Sequence, residues 1–304
     1  SQVETGNTSN DSSLSLTFTS SESTTSFDSI DLSLTNGTIS NFSGSGSTYT
    51  ATFTPTNQGA TAINIAAETF TDAAGNSNKA ATEFTWLFDS GSPSLTLVSG
   101  ISTPNNSATP SITFNSNEAG TITSSLSFST SATAASGNNL LTFSSLSDNT
   151  YSGVTVTLTD AANNSTTLTL DDFVIDTTSP AAFQSTTVVS TGGTVVPTYY
   201  NSTNTGVSVT TPIASDDSSL IGGTLQIQAK VAANGTYANI GNAAAITDSG
   251  TQVVSLSTVE DLTNFDEGVV LYFRAVITDS AGNATTGTAS ATTLTVDQAA
   301  PSVS

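Results

Sequence analysis

The chain has 304 residues and a formal net charge of −21, with 24 acidic side chains against three basic ones, Lys79, Lys230 and Arg274. Three cations cannot build a surface that tracks phosphates, which excludes nucleic acid and anionic lipid as direct partners. Cys and His are both absent, which excludes disulfides, thiol chemistry, histidine-based zinc sites and the Ser-His-Asp and Cys-His catalytic sets.

Hydrophobic residues make up 36% of the chain. That is low for a globular protein but sufficient for small β domains with thin cores. They fall in short alternating runs bounded by turn residues, the pattern of folded β structure and not of disorder. No apolar run approaches the roughly 18 residues of a membrane-spanning helix, so no direct membrane insertion is expected. No signal peptide is visible. The chain lacks an initiator Met and stops just beyond a linker, and it reads as a piece of a longer array.

In chain order, residues 14–18 alternate apolar and polar and predict a strand. Residues 20–26 predict a polar loop holding Glu22. Residues 30–34 predict a strand closed by a hairpin-type Asn36-Gly37 turn. Further strands are expected at 39–42, 49–53, 62–66 and 84–88, with an Asp72 loop before the last. A second set covers 95–98, 112–114, 121–128, 140–143, 154–159 and 173–175, with Glu118 in the loop after its second strand. A third covers 187–189, 207–210, 225–231, 253–256, 270–278 and 294–296. Its corresponding loop carries Asp216-Asp217, and its extra length falls at 191–203 and 234–251.

The sets are punctuated alike. Asp89-Ser-Gly-Ser-Pro93, Asp176-Thr-Thr-Ser-Pro180 and Asp297-Gln-Ala-Ala-Pro301 each place a Pro four residues after an Asp. Each is preceded by a second signature, Asp72-Ala-Ala-Gly75-Asn76, Asp160-Ala-Ala-Asn163-Asn164 and Asp279-Ser-Ala-Gly282-Asn283, at gaps of 17, 16 and 18 residues between the two Asp. The expected modules are therefore 1–89, 90–176 and a longer 177–297, with 298–304 opening the next linker. One and three residues before each linker Asp stand Phe88 and Trp86, Ile175 and Phe173, and Val296 and Leu294. Period-2 spacing puts all six on the core face of a last strand, so Trp86 is expected in a core. About seven short strands in a module of this size predict an immunoglobulin-like sandwich. The expected fold is all-β: three tandem immunoglobulin-like β-sandwich modules in an elongated array.

In such a sandwich alternate loops share an end. The loops after the second and sixth strands then meet the linker from the preceding module. Asp89, Glu118, Asp160 and Asn164 should converge at the first junction, and Asp176, Asp216, Asp217, Asp279 and Asn283 at the second. Glu22, Asp72 and Asn76 should form a half-site in the first module. Clustered carboxylate and amide oxygens without nitrogen or sulfur ligands match calcium, which would also relieve their mutual repulsion. The same Asp-x-x-Gly-Asn pattern is also turn chemistry, with Asp closing the loop and Gly or Asn taking positive φ.

The Asp-Ala-Ala-Gly-Asn signature, its strand and the Asp-x-x-x-Pro linker together resemble the tandem bacterial immunoglobulin-like repeats of very large surface adhesins. Glu22, the run from Asn36-Gly37 to Phe42 and Asn117-Glu118-Ala-Gly120-Thr121 are similar to those families too. The resemblance implies a secreted, extracellular, calcium-rigidified stalk. Its partners would be calcium ions and neighbouring modules, with host or surface glycans met by other domains. Two alternatives stand beside it. A weakly β first segment before Leu14 would let a neighbour's strand complete the first module and build a filament. Exposed Tyr199-Tyr200 would serve a carbohydrate-binding array. Catalysis is not expected: the pairs Asp171-Asp172, Asp216-Asp217 and Asp266-Glu267 would point to opposite faces of a strand and have no basic partner.

Overall fold

The computed structural model describes residues 3–257 and 259–303. Among them the regular structure is β-strand, broken only by single 3-10 turns at Ser29–Asp31, Ser218–Leu220 and Val259–Asp261. The first repeat holds β1 (Thr8–Ser9), β2 (Leu14–Thr24), β3 (Leu32–Thr35), β4 (Gly37–Pro55), β5 (Gly59–Ile65) and β6 (Phe84–Phe88). The second holds β7 (Leu95–Ser99), β8 (Ser111–Ser116), β9 (Gly120–Ser124), β10 (Thr133–Ala134), β11 (Gly137–Thr142), β12 (Asn149–Tyr151), β13 (Thr155–Thr159), β14 (Ser165–Thr169) and β15 (Phe173–Ile175). The third holds β16 (Thr187–Thr191), β17 (Tyr199–Asn201), β18 (Gly206–Ile213), β19 (Thr224–Val231), β20 (Ala238–Asn239), β21 (Ala244–Ala245), β22 (Gly250–Leu256), β23 (Val270–Thr278), β24 (Ala284–Thr286) and β25 (Leu294–Asp297). Contacts divide the chain into two compact units, one of residues 1–100, 111–144 and 153–171, the other of residues 101–110, 145–152 and 172–304.

In the first unit, the first repeat packs a β1-β6-β5-β3 sheet on a β2-β4 ribbon. Alternation decides which residues go inside. Leu14, Phe53, Ile63 and Trp86 form one buried cluster, and Phe27, Leu32 and Tyr49 another. Trp86 is 2% exposed and stacks edge-on against Phe53, so it is a core residue as its spacing implies. Gly37 is needed where the Asn36-Gly37 turn enters β4, because a Cβ there would sit 2.0 Å from the Phe53 ring. The same unit carries two sheets of the second repeat, β11-β8-β7 and β10-β9-β13-β14.

The second unit holds the β12-β15 pair and the third repeat's two sheets, β16-β18-β22 and β17-β25-β23-β19-β20. Its core is continuous, from Val188 on β16 through Leu225, Ile227 and Phe273 to Leu294 and Val296.

Several local expectations are corrected. Glu22 does not sit in a loop: β2 runs through it to Thr24, with a register shift between Thr19 and Thr24. The strands expected at 39–42 and 49–53 are one element, β4. It bends back at positive-φ Gly44 and Gly46, so that the Ser43 and Thr50 hydroxyls lie 3.4 Å apart. The segment before Leu14 is not strandless, since Thr8–Ser9 pairs in parallel with Leu87 and Phe88. The extra length at 191–203 includes β17, which pairs in parallel with β25. The second repeat has the matching parallel bridge between Asn105 and Ile175. All three repeats thus close on their last strand in the same way. Asp171-Asp172, Asp216-Asp217 and Asp266-Glu267 lie in connections and not on strands, so the strand-face argument does not apply to them. Tyr199 is exposed, but Tyr200 is 1% exposed, and its hydroxyl donates to Glu260 Oε1 at 3.0 Å, so the two rings form no platform.

Candidate functional site at the linker loops

The Asp-x-x-Gly-Asn loops share one plan. Asp72 Oδ1 accepts from the Ala74 and Asn76 backbone N–H groups, both at 2.8 Å, and its Oδ2 accepts from Asn76 Nδ2. Asp160 Oδ1 takes Ala162 N and Asn164 N, and its Oδ2 takes Asn164 Nδ2. Asp279 Oδ1 takes the N–H groups of Ala281, Gly282 and Asn283, and its Oδ2 takes Asn283 Nδ2. The fourth position has positive φ each time, in Gly75 (89°), Asn163 (71°) and Gly282 (99°). An exchange of Gly for Asn is what that backbone region tolerates. Turn chemistry is therefore present at all three loops.

The last Asn of the loop also reaches the linker. Asn164 Nδ2 donates to the Asp89 carbonyl at 2.9 Å, and Asn283 Nδ2 donates to the Asp176 carbonyl at 2.8 Å. Two residues on, Thr166 Oγ1 bonds the Pro93 carbonyl and Thr285 Oγ1 bonds the Pro180 carbonyl. Pro93 and Pro180 are buried. Each linker is thus pinned at its Asp and its Pro to the hairpin that follows. Asn164 Oδ1 accepts from Asn10 Nδ2 at 3.0 Å, so this amide is committed on both sides. Both Asn side chains serve as clamps.

The loop after the second strand is brought close by glycine. A Cβ on Gly120 would lie 2.4 Å from the Thr159 carbonyl, and one on Gly223 would lie 2.2 Å from the Thr278 carbonyl. Those carbonyls directly precede Asp160 and Asp279. Glycine is required for this close backbone approach, and the approach delivers Glu118. Carboxylate oxygens of Asp89, Glu118 and Asp160 all lie within 4.8 Å of one another, with Asp160 buried and the other two half-buried. This is the convergence expected at the first junction.

The second junction differs. Asp279 is buried and Asp176 half-buried, but Asp217 caps the 3-10 turn through the Ser219 N–H at 3.0 Å, and Asp216 is exposed. Among the described residues, Asp89, Glu118 and Asp160 are the one acidic trio this tightly gathered. Burial, followed by the charges of Asp279, Asp148 and Asp217, raises the Asp176 carboxyl above its ordinary range. Asp148 was not among the expected residues. It binds the linker by accepting from Thr178 Oγ1, Thr177 Oγ1 and Thr177 N, which in that order lower its own pKa. In the first repeat, Glu22, Asp72 and Asn76 line one groove of about 530 Å³. The hydrogen bonds of Asn76, followed by those of Ala74 and Gly75, lower the Asp72 pKa.

Residues 2–86 match the family model of the bacterial Ig-like domain. No curated protein sequence matches the chain. Among solved structures the chain is similar to titin domains A168–A170, at 12% identity and a TM-score of 0.44, with 97% of both chains covered. It is also similar to dimeric latent PorU from Porphyromonas gingivalis, at 12% identity and a TM-score of 0.27, covering 97% of this chain and 33% of that one. The titin I9–I11 tandem aligns at 11% identity and a TM-score of 0.23, with 97% of both chains covered. The family match covers the first repeat, and the sheet order and the repeated closing pairs show β-sandwich repeats in tandem along the chain.

Proposed function

We propose that the chain is a non-catalytic, extracellular spacer from a bacterial surface adhesin, with modules 1–89, 90–176 and 177–297 in tandem and calcium bound at the linkers. The observation that carries this reading is the gathering of Asp89, Glu118 and Asp160 around a linker that side chains already clamp. The donor set fits calcium, being all oxygen with three negative charges. The two Asp160 oxygens accept hydrogen bonds from the loop, but a carboxylate has about four acceptor sites and keeps capacity for a cation. Three carboxylates this close repel unless a cation or protons intervene. In this reading Asp89 and Glu118 supply the most accessible ligand oxygens, and Asp160 anchors them to the hairpin. Asp176 and Asp279 would hold a looser site at the second linker.

Calorimetry of the chain with calcium and with a chelator tests the reading. Calcium should raise the melting temperature, and Glu118→Gln should abolish most of that rise. Identical melting in both conditions sinks it.

One observation favours the filament alternative. In the second and third repeats the first strand lies along the edge of a later one, β7 on β8 and β16 on β18. Among the described residues no strand holds the matching edge of β2 between Leu14 and Thr19, and a groove of about 640 Å³ runs beside it. An extended segment patterned like Leu95–Ser99 would fit there by adding a strand. Size-exclusion chromatography and electron microscopy decide: uniform monomers at all concentrations remove this alternative.

A further inference from the structure

Two of the chain's three cations lie together. On the β19–β23 pair, Lys230 stands opposite Tyr272 and Gln228 opposite Arg274, all on one sheet face. Neither strand contains an acidic residue, in a chain with 24 of them. Among the described residues the Arg274 side chain makes one hydrogen bond, from Nε to Gln228 Oε1 at 2.8 Å. Gln228 is itself fixed, because its Nε2 donates to Asn239 Oδ1 at 2.9 Å. The guanidinium lies 4.0 Å from the Tyr237 ring centroid. Lys230 Nζ lies 4.9 Å from the same ring and 5.3 Å from that of Tyr272, and donates to the Ala233 carbonyl. Tyr237, Tyr272, Lys230 and Arg274 are all half-exposed.

We propose that this face binds a saccharide bearing a single carboxylate, such as a uronic acid residue. The two amino groups of Arg274 form a fork that matches a carboxylate, and stacking on Tyr237 holds the fork in place. Lys230 adds a second positive charge. The Tyr272 ring offers an apolar face to the C–H groups of a pyranose, and the Asn239 and Gln228 amides suit its hydroxyls. The held Asn239-Gln228-Arg274 series removes part of the ordering cost of binding. Net charge selects the ligand's size. A polyanion would meet the repulsion of a −21 chain, whereas one carboxylate within the roughly 8 Å screening length at physiological salt mainly senses the two local cations.

Arg274 is the chain's sole arginine, so its Nε–H gives one assignable NMR signal. The intact chain is titrated with methyl glucuronide, neutral methyl glucoside and N-acetylaspartate amide. Methyl glucuronide should shift the Arg274 Nε–H and the Tyr237 and Tyr272 ring signals, and the glucoside should bind about tenfold more weakly or worse. Arg274→Lys should weaken glucuronide binding about tenfold through loss of the fork. Lys230→Gln, a half-exposed change, gives a second reading of the charge requirement should Arg274→Lys disturb folding. Equal binding of glucoside and glucuronide, or no shift with either, overturns the proposal. Equal binding of the aspartate derivative also overturns it, because the face would then recognise carboxylates without regard to the sugar.

Discussion

Asn164 and Asn283 each hold a loop carboxylate and a linker carbonyl with one amide nitrogen. Asn76 makes the loop bond and has no linker carbonyl among its partners in the described residues. Asn164→Ala should therefore cost about 1–2 kcal/mol, through a lost hydrogen bond and an under-satisfied carboxylate. Asn76→Ala should cost less, because its loop is exposed. Urea melts of the two variants check the difference, and equal losses would mean that the linker bond contributes nothing. Tyr200 gives a pH prediction. Burial, followed by the hydrogen bond and charge of Glu260, pushes its phenol from 10.0 up to about 12. The folded state then keeps a proton that the unfolded state releases. The stability this provides is complete below pH 10 and is lost as pH rises toward 12. Tyr200→Phe should flatten that alkaline decline in denaturant midpoint.

At the scale of elements, the loop-to-loop approach rests on Gly120 and Gly223. An added Cβ would meet backbone carbonyls 2.4 and 2.2 Å away, and backbone cannot move aside like a flexible side chain. Gly120→Ala should cost about 1–3 kcal/mol and should displace Glu118, so any calcium-dependent rise in melting temperature shrinks with it. A thermal melt of this variant with and without calcium reads both effects. Much of this site was legible in the sequence because it is repeated: the Asp-x-x-Gly-Asn and Asp-x-x-x-Pro spacings recur, and loop alternation in a sandwich brings them together. The clamping hydroxyls were legible in principle, since Thr166 and Thr285 both follow their Asn by two residues. Asn10 and Asp148 were not, because each is fixed by a non-local contact with no repeated spacing. Pairings such as Thr8–Ser9 with β6 are too short to leave a periodic signal. Glu22 was misplaced because Ser20 to Ser23 is a polar bulge within a strand, and polarity alone resembles a loop.

For the whole molecule, charge is the dominant unbalanced term. With 24 acids and three bases, most carboxylates lack any cation to pair with. Self-repulsion then opposes the folded state and is screened by salt. Raising sodium chloride from low to physiological concentration should raise the melting temperature, and a scan showing no dependence would contradict this. The parallel closing pairs have a mechanical consequence. In the first repeat the bonds Gly6 N to Thr85 O, Leu87 N to Asn7 O and Asp89 N to Ser9 O join the strand that enters the module to the strand that leaves it. Because the two run parallel, tension applied through the neighbouring linkers would pull them past each other in shear and load these bonds together. An antiparallel pair pulled from the same end would instead unzip one bond at a time. The Asp and Asn residues that pin each linker would transmit that tension to the closing strands of the module before it.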